Sequence, residues 1–526
     1  MSRDRRILIW VGLGLLLIIL FPFVFALLAG GGDYHFGGFL INPMDGNTYL
    51  AKMYQGYQGD WQYSLPYSAQ VEAGAYLFLF YIFLGQVARV TGASLLLVFH
   101  VARILSALIL VWALYRFFEE MKLEPTAQRI VLVLVVFGSG LGWLGIILGA
   151  FTSDLWVAEA YPFLSAYSNP HFPLGLALIV WLLTPRQGNM GIGEKGWLLG
   201  LAALMLAVIS PFGVAITLVV LSSMAIWEVL DSWTWGKGWT ALEVPELVKR
   251  ISLVVIGGGP VLAYYYWVVN TNPAFEAWNA QNLTPSPPIW DFLLSFSPVI
   301  WLAIPGAWWV YHNQNQAQRI LMVWAGLGVI LAYAPSGLQR RFLMGLYIPL
   351  AGLAIVGLSH LVSNNPKRLS SLSLILIFLA VPTNLVILLT SVYGIQTQDQ
   401  QIYLTSNEAQ AMAWISDNTP SEAVILSGPE TGVFIPAHSG RRVIYGHPFE
   451  TIRAGKMKML VESFFLGKLR DPDQSELKAA EYLFVGPREK ALGYKIEAAE
   501  GLSVYENESV SVYLVEDNLA SFTLEK

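Results

Sequence analysis

Residues 7–29 read ILIWVGLGLLLIILFPFVFALLA, an uncharged apolar run longer than the about 20 residues that a helix needs to cross the hydrocarbon core of a bilayer. Further apolar runs, some shorter and some carrying a charged residue, recur near 95–117, 129–151, 171–185, 196–209, 211–229, 251–270, 289–311, 319–335, 341–362 and 369–393. They predict a mainly α fold, a polytopic transmembrane helical bundle of about 11 spans. Arg3, Arg5 and Arg6 ahead of the first run also resemble the start of a secretory signal. The length of the run predicts a retained signal-anchor helix instead.

Composition agrees with a chain made for lipid. Of 526 residues, 55% are hydrophobic and only 13% charged, against about a quarter charged in soluble proteins. There is no cysteine, which excludes disulfides, thiol nucleophiles and iron–sulfur ligation and leaves His, Asp and Glu to carry any chemistry. The net charge is −5, with basic residues scattered beside the apolar runs. Nothing in that pattern points to nucleic acid.

Basic residues set the orientation, because cytoplasmic segments of membrane proteins are enriched in Lys and Arg. With the N-terminus inside, the cytoplasmic side receives Arg3, Arg5, Arg6, Arg116, Lys122, Arg129, Arg186, Lys195, Lys237, Lys249, Arg250, Arg319, Lys367 and Arg368. The outer loops between helices receive few, among them Lys52, Arg340 and Arg341. Segment 75–91 is apolar but short, and counting it as a span would reverse every later loop. Its aromatics Tyr76, Phe78, Phe80, Tyr81 and Phe83 predict a helix at the outer interface. The stretch Asp231 to Arg250, with Trp233, Trp235 and Trp239, reads as an amphipathic element on the inner surface.

The domain organisation that follows is a membrane domain over 1–393, with outer loops at 30–94 and 152–170, and an extracytoplasmic domain over 394–526. This tail changes character: a helix-like NEAQAMAWISDNT (407–419) precedes strand-like runs AVILS, RRVIYG, EYLFVG and SVSVYLVE separated by Gly and Pro. Alternating helix and strand patterns predict a small α/β domain.

Candidate chemistry lies in the outer loops. The first contains Asp33, His35, Asp45 and Asp60, and its Gly-, Asn- and Pro-rich course leads Asp45 to the start of a short helix. A carboxylate there can serve as a general base or a metal ligand, or can simply cap the helix N-terminus. The second loop, TSDLWVAEAYPFLSAYSNPHF (152–172), adds Asp154, Glu159 and His171. Arg340 and Arg341 stand on the side poor in positive charge, so they call for a compensating anion. A phosphate suits the planar guanidinium fork; loop carboxylates and lipid headgroups are the alternatives.

The string MDGNTYLAKMYQGYQGDWQY (44–63), after one spanning run and before HVARILSALILVWALYRFF (100–118), resembles the opening of the GT-C class of integral membrane glycosyltransferases. The likeness is to the aminoarabinose-transferase and protein-mannosyltransferase branches. There an acidic residue begins the first outer loop, a small helix with a Tyr-Ala pattern follows, and a Gly-Asp-Trp element comes next. Asp45 matches the acidic residue, Tyr49 and Ala51 the helix, and Gly59, Asp60 and Trp61 the last element. The sequence departs from the pattern where many relatives have a second adjacent acid, since Gly46 follows Asp45, and where VEAGAYLFLFY replaces their Pro-Pro-Leu element.

The resemblance implies transfer of a sugar from a polyprenyl-phosphate carrier to an envelope glycan, lipid or protein acceptor at the outer face of a membrane, expected to be a bacterial plasma membrane. Asp45 would be the general base, Arg340 and Arg341 the seat of the donor phosphate, and Asp154, Glu159 and His171 the candidates for positioning an acceptor or a metal. A divalent metal ion assists some branches of the class and is dispensable in others. Two other readings stay open: a secondary transporter, against which stands the absence of a visible internal repeat, and a membrane scaffold whose tail segment 427–451, with His438, Arg441, Arg442 and His447, forms an outer binding site.

The charge bias makes a direct prediction. Topology reporters fused after residues 120, 190, 240 and 365 should report cytoplasm, while fusions near 160, near 280 and at the C-terminus should report the outside. A cytoplasmic C-terminus would overturn the threading.

Overall fold

The structure is a computed structural model that describes residues 3–70, 72–185, 196–235, 244–469, 477–493 and 503–515. Arg186, Lys195, Lys237 and Trp239, used above for orientation and interfacial anchoring, lie outside the described residues.

Among the described residues, five helices are long and apolar enough to cross a membrane: Arg6–Ala29, Leu95–Glu120, Pro211–Asp231, Val244–Thr271 and Pro366–Gln396. Ile289–Ser295 and Val299–His312, bent by 82° at their junction, make a sixth if taken as one span. Other apolar runs of the sequence form shorter helices, among them Pro125–Phe137, His171–Leu183, Trp197–Ile209, Gln316–Ala332 and Tyr347–Leu361. The expected span 129–151 is broken, with helix Pro125–Phe137 followed only by the six-residue helix Gly142–Ile147. The break is a close approach: a Cβ on Gly140 would lie 1.8 Å from the Ser295 carbonyl oxygen. Segment 75–91 forms helix Leu79–Thr91, 13 residues long.

The described chain divides into two compact units. The first comprises Met1–Pro22, His100–Tyr265 and Leu283–Ser391. Its centre is helix Tyr347–Leu361, buried without interruption from Tyr347 to Ser359. Against it lies Val299–His312 at backbone distance, since a Cβ on Gly306 would sit 1.9 Å from the Leu353 carbonyl oxygen. Small residues that let backbones touch are the usual means of packing helices in lipid, where no hydrophobic drive separates helix from solvent.

The second unit comprises Phe23–Phe99, Tyr266–Asn282 and Val392–Lys526. A two-stranded antiparallel sheet pairs β1 (Tyr34–Phe36) with β2 (Tyr403–Thr405). A five-stranded mixed sheet follows, built from β3 (Val424–Leu426), β4 (Arg442–Val443), β5 (Tyr482–Val485), β6 (Ser503–Glu506) and β7 (Ser511–Leu514) in the order β4-β3-β5-β7-β6. Here β3 runs parallel to β4 and β5, while β7 is antiparallel to β5 and β6.

Strand side chains alternate between faces, and the buried clusters follow that rule. Val424, Leu426, Leu483 and Val485 pack with Met457, Leu460, Val461, Phe464 and Phe465 of helix Ala454–Phe465. Ile425 and Phe484 point the other way, onto Met412 and Ile415 of helix Ser406–Asn418 and Phe434 of helix Thr431–Ser439. Helix Ser406–Asn418 starts with a capping box between Thr405 and Glu408, which satisfies two otherwise orphaned N–H groups.

In the same unit, helix Pro43–Gln58 lies against Leu79–Thr91 with no room for side chains at Gly56 and Gly85. A Cβ at either would come within 2.1 Å of the Ile82 or Met53 carbonyl oxygen. The tail reaches the same helix. Glu450 Oε1 lies 2.7 Å from Lys52 Nζ, and its Oε2 accepts from the Tyr63 hydroxyl at 3.2 Å and the Trp278 indole at 3.1 Å. Lys52 is 1% exposed, and its ammonium stands 4.4 Å from the Phe78 ring centre and 5.3 Å from that of Tyr63.

Burial pushes the Glu450 carboxyl up, but the Lys52 charge, with the hydrogen bonds from Lys52 and Tyr63, outweighs it and holds the group below its ordinary value. A group depressed in this way stabilises the fold above the ordinary carboxylate range and loses that contribution as pH falls through the lower folded value. Breaking a buried pair from one side leaves an uncompensated charge. Lys52→Met should therefore lower stability by about 3–5 kcal/mol, and Lys52→Met combined with Glu450→Gln should recover much of it, measured by thermal unfolding in detergent. A Lys52→Met variant as stable as wild type would mean the pair is not holding the unit together.

Candidate functional site

Asp45 lies in the first turn of helix Pro43–Gln58, where a negative charge faces the positive end of the helix dipole. It is not the N-cap: that position is Asn42, in a left-handed conformation at φ 47° and without a side-chain capping bond. Asp45 is 45% exposed, and its Oδ1 lies 3.2 Å from Nε2 of the buried His447. Gly46, where relatives of the resembling class have a second acid, is pressed against Phe39, and a Cβ there would lie 2.3 Å from the ring. The departure from the motif is therefore steric, because this backbone has no space for a side chain at 46.

Tyr49 stacks on Tyr81 at 4.5 Å and 14°, tying the motif helix to its neighbour. Gly59 ends the helix at φ 115°, a left-handed cap that favours glycine. Asp60 follows on an exposed loop, its carboxyl raised first by partial burial, then by Glu422, against the opposing pull of Arg89.

The tail segment singled out in the sequence is mostly structural. Arg441 donates to the carbonyls of Ser416, Thr419 and Ser439, and Arg442 to the Gln70 carbonyl, with Glu422 at 3.4 Å. His438 is enclosed, and burial, then His35, push its imidazole down to about 4. The fourth residue, His447, is the one that meets Asp45. Glu450, Tyr63 and Trp278 had no place in the sites drawn from sequence, and His447 had one only in the scaffold reading, apart from Asp45. The only signal for them was one His and one Glu in GHPFET (446–451), a string with no motif spacing.

In the first unit, Glu159 meets both Arg340 and Arg341. Its Oε1 stands 3.8 Å from Arg340 Nε and 3.5 Å from Arg341 Nη1. The Arg340 guanidinium lies over the Trp156 ring, 4.7 Å from its centre. Backbone bonds fix the group: Arg340 N–H donates to the Thr284 carbonyl and Gly345 N–H to the Glu159 carbonyl, both at 2.9 Å. The arginines remain partly open, 22% and 35% exposed.

Asp154, the other candidate of that loop, is wholly enclosed. Oδ2 accepts from Gly142 N–H, and Oδ1 from the Thr152 and Ser295 hydroxyls. Burial raises its carboxyl, and those hydrogen bonds pull it back. Ser295 and Ser153 continue the network to Asp291, so Asp154 ties loop to helix. His171 opens helix His171–Leu183 with its ring against Phe172. Among the described residues, no three His, Asp or Glu side chains gather where they could hold a metal ion.

No protein-family model and no curated protein matches the sequence. Solved structures do. The apo oligosaccharyltransferase of Archaeoglobus fulgidus superposes with a TM-score of 0.54 at 12% identity, over 92% of this chain and 69% of that one. Similar too are apo ArnT from Cupriavidus metallidurans, with a TM-score of 0.47 at 12% identity over 97% and 99% of the two chains, and arabinofuranosyltransferase AftD from mycobacteria, with 0.41 at 14% over 96% and 40%. The fold of this chain is that of the GT-C integral membrane glycosyltransferases, the class its first outer loop resembles.

Proposed function

We propose that this protein transfers a sugar from a polyprenyl-phosphate carrier to an acceptor at the outer face of the membrane, with Asp45 as general base. The observation that carries the reading is an accessible carboxylate, held in place by a buried partner, at the position of the class motif's acidic residue. In the reaction the acceptor hydroxyl or amine gives its proton to Asp45 as its oxygen or nitrogen bonds to the anomeric carbon. The bond from that carbon to the carrier phosphate oxygen breaks, and the configuration inverts. The carrier leaves as a phosphate whose added charge needs a cation.

Arg340 and Arg341 are proposed as that cation. The two guanidiniums share one carboxylate oxygen, that of Glu159, at 3.5–3.8 Å. A phosphate with several oxygens matches them better. Glu159 then stands where the donor anion would compete with it. The roles of the acid and of the arginines are separable and are tested separately.

Purification with endogenous lipids followed by mass spectrometry should reveal a polyprenyl-phosphate sugar, which then serves as donor. Asp45→Asn keeps the size of the side chain but cannot take a proton. Turnover should fall about 10²–10⁴-fold with donor binding and thermal stability little changed, and Asp60→Asn should lose less. Near-wild-type transfer by the Asp45 variant would remove the base assignment.

Changing Arg340 and Arg341 together to Gln should weaken donor binding by about ten- to a hundredfold, the equivalent of about 1.5–3 kcal/mol for a charge-assisted bond. Glu159→Gln, which removes the competing anion, should move affinity the other way. Unchanged donor affinity in the folded double variant would return the arginines to a purely structural part.

A further inference from the structure

His447 is 3% exposed, and both of its ring nitrogens are engaged. Nδ1 lies 3.1 Å from the backbone N of Phe449 and 3.2 Å from that of Glu450. Both of those groups are donors, so Nδ1 must present its lone pair. The proton of the neutral ring therefore sits on Nε2, which is aimed at Asp45 Oδ1 at 3.2 Å. In this arrangement neither ring nitrogen has a lone pair to offer a substrate. The imidazole is a fixed donor, and the carboxylate is the partner able to take a proton.

The ring is itself held by a closed turn. Thr451 Oγ1 accepts from the N–H groups of Gly446 and His447, and Thr451 N–H returns to the His447 carbonyl. Glu450, within the same turn, is clamped by Lys52, Tyr63 and Trp278. His447 and Glu450 thus grip helix Pro43–Gln58 at two points two turns apart, Asp45 and Lys52.

We infer that His447 of the tail is the positioning residue of the transferase site: its Nε2–H fixes the rotamer of Asp45 and directs the carboxylate toward the acceptor. This rests on the reading of Asp45 as the base. It makes the tail a working part of the active site, since the ring that orients the base belongs to the domain that follows the membrane helices.

The two nitrogens can be tested apart. Asn at 447 places an amide oxygen near Nδ1, where it can accept from Phe449 and Glu450, but it cannot reach Asp45. Gln carries an amide N–H as far as Nε2 but does not replace the Nδ1 acceptor. Full-length His447→Asn, His447→Gln and His447→Ala are compared for kcat, acceptor KM, donor affinity and thermal unfolding, alongside Asp45→Asn and Asp45→Asn/His447→Asn. His447→Asn should keep near-wild-type stability and donor affinity while kcat falls about 10–100-fold, the usual loss when a group that orients a reacting side chain is removed. His447→Gln should be less stable yet recover most of kcat. In the Asp45→Asn background, His447→Asn should cost nothing further, because its effect runs through Asp45.

A fully active His447→Asn, or a His447→Gln no more active than His447→Ala, overturns the positioning role while leaving the base assignment standing if Asp45→Asn is impaired. A further loss in the double variant also overturns it. An active Asp45→Asn removes both.

Discussion

The buried pair of Lys52 and Glu450 is the constraint on which the second unit is organised. A lysine at 1% exposure cannot stay charged in a protein interior without a close counter-ion and satisfied hydrogen bonds. Glu450 supplies the first, and Tyr63 and Trp278 occupy the remaining oxygen. Neither partner has a low-energy place elsewhere once the other is buried, so the turn 446–451 and helix Pro43–Gln58 are obliged to meet. Around that contact the aromatic rings of Tyr49, Tyr63 and Phe78 close over the ammonium and keep water from weakening it.

From this single contact the geometry of Asp45 follows. The turn that presents Glu450 also presents His447, because the Nδ1 bonds to Phe449 and Glu450 N–H lock the ring to the same few residues. The motif helix is also fixed by the glycine contacts with Leu79–Thr91, so a carboxylate that is nearly half exposed still has a defined position. Gly46 belongs to the same economy of space. Against Phe39 a second acid would not fit, and a lone carboxylate beside a histidine donor replaces the adjacent acids of the resembling class.

The first unit answers a different electrostatic problem. Arg340 and Arg341 stand next to each other in the chain, and Glu159, the Trp156 ring and the backbone of the turn at Gln339–Leu343 stabilise them. Asp154, five residues before Glu159, has the opposite fate. Serine and threonine hydroxyls and a backbone N–H absorb its charge inside the protein, and hydropathy alone does not separate two acids of one loop.

Membrane insertion was readable from the sequence because hydrocarbon selects uninterrupted apolar runs, as in residues 7–29 and 95–117. The sheet of the tail was readable because Val424 to Leu426 and Tyr482 to Val485 alternate between two packed faces. Asp45 was singled out through its motif alone. Where a helix breaks was not legible, as at Gly138 to Gly140, because the cause is the approach of Ser295, 155 residues away in the chain by the difference 295 − 140. Nor were the partners of the site. Asp45 and His447 are 402 positions apart, and Lys52 and Glu450 are 398 apart. Composition and periodicity record which solvent a residue faces, lipid, water or core. Which charge it meets there is a property of the closed chain, and tertiary structure alone decided it, because a buried ion pair gains its energy only when both partners arrive at one place.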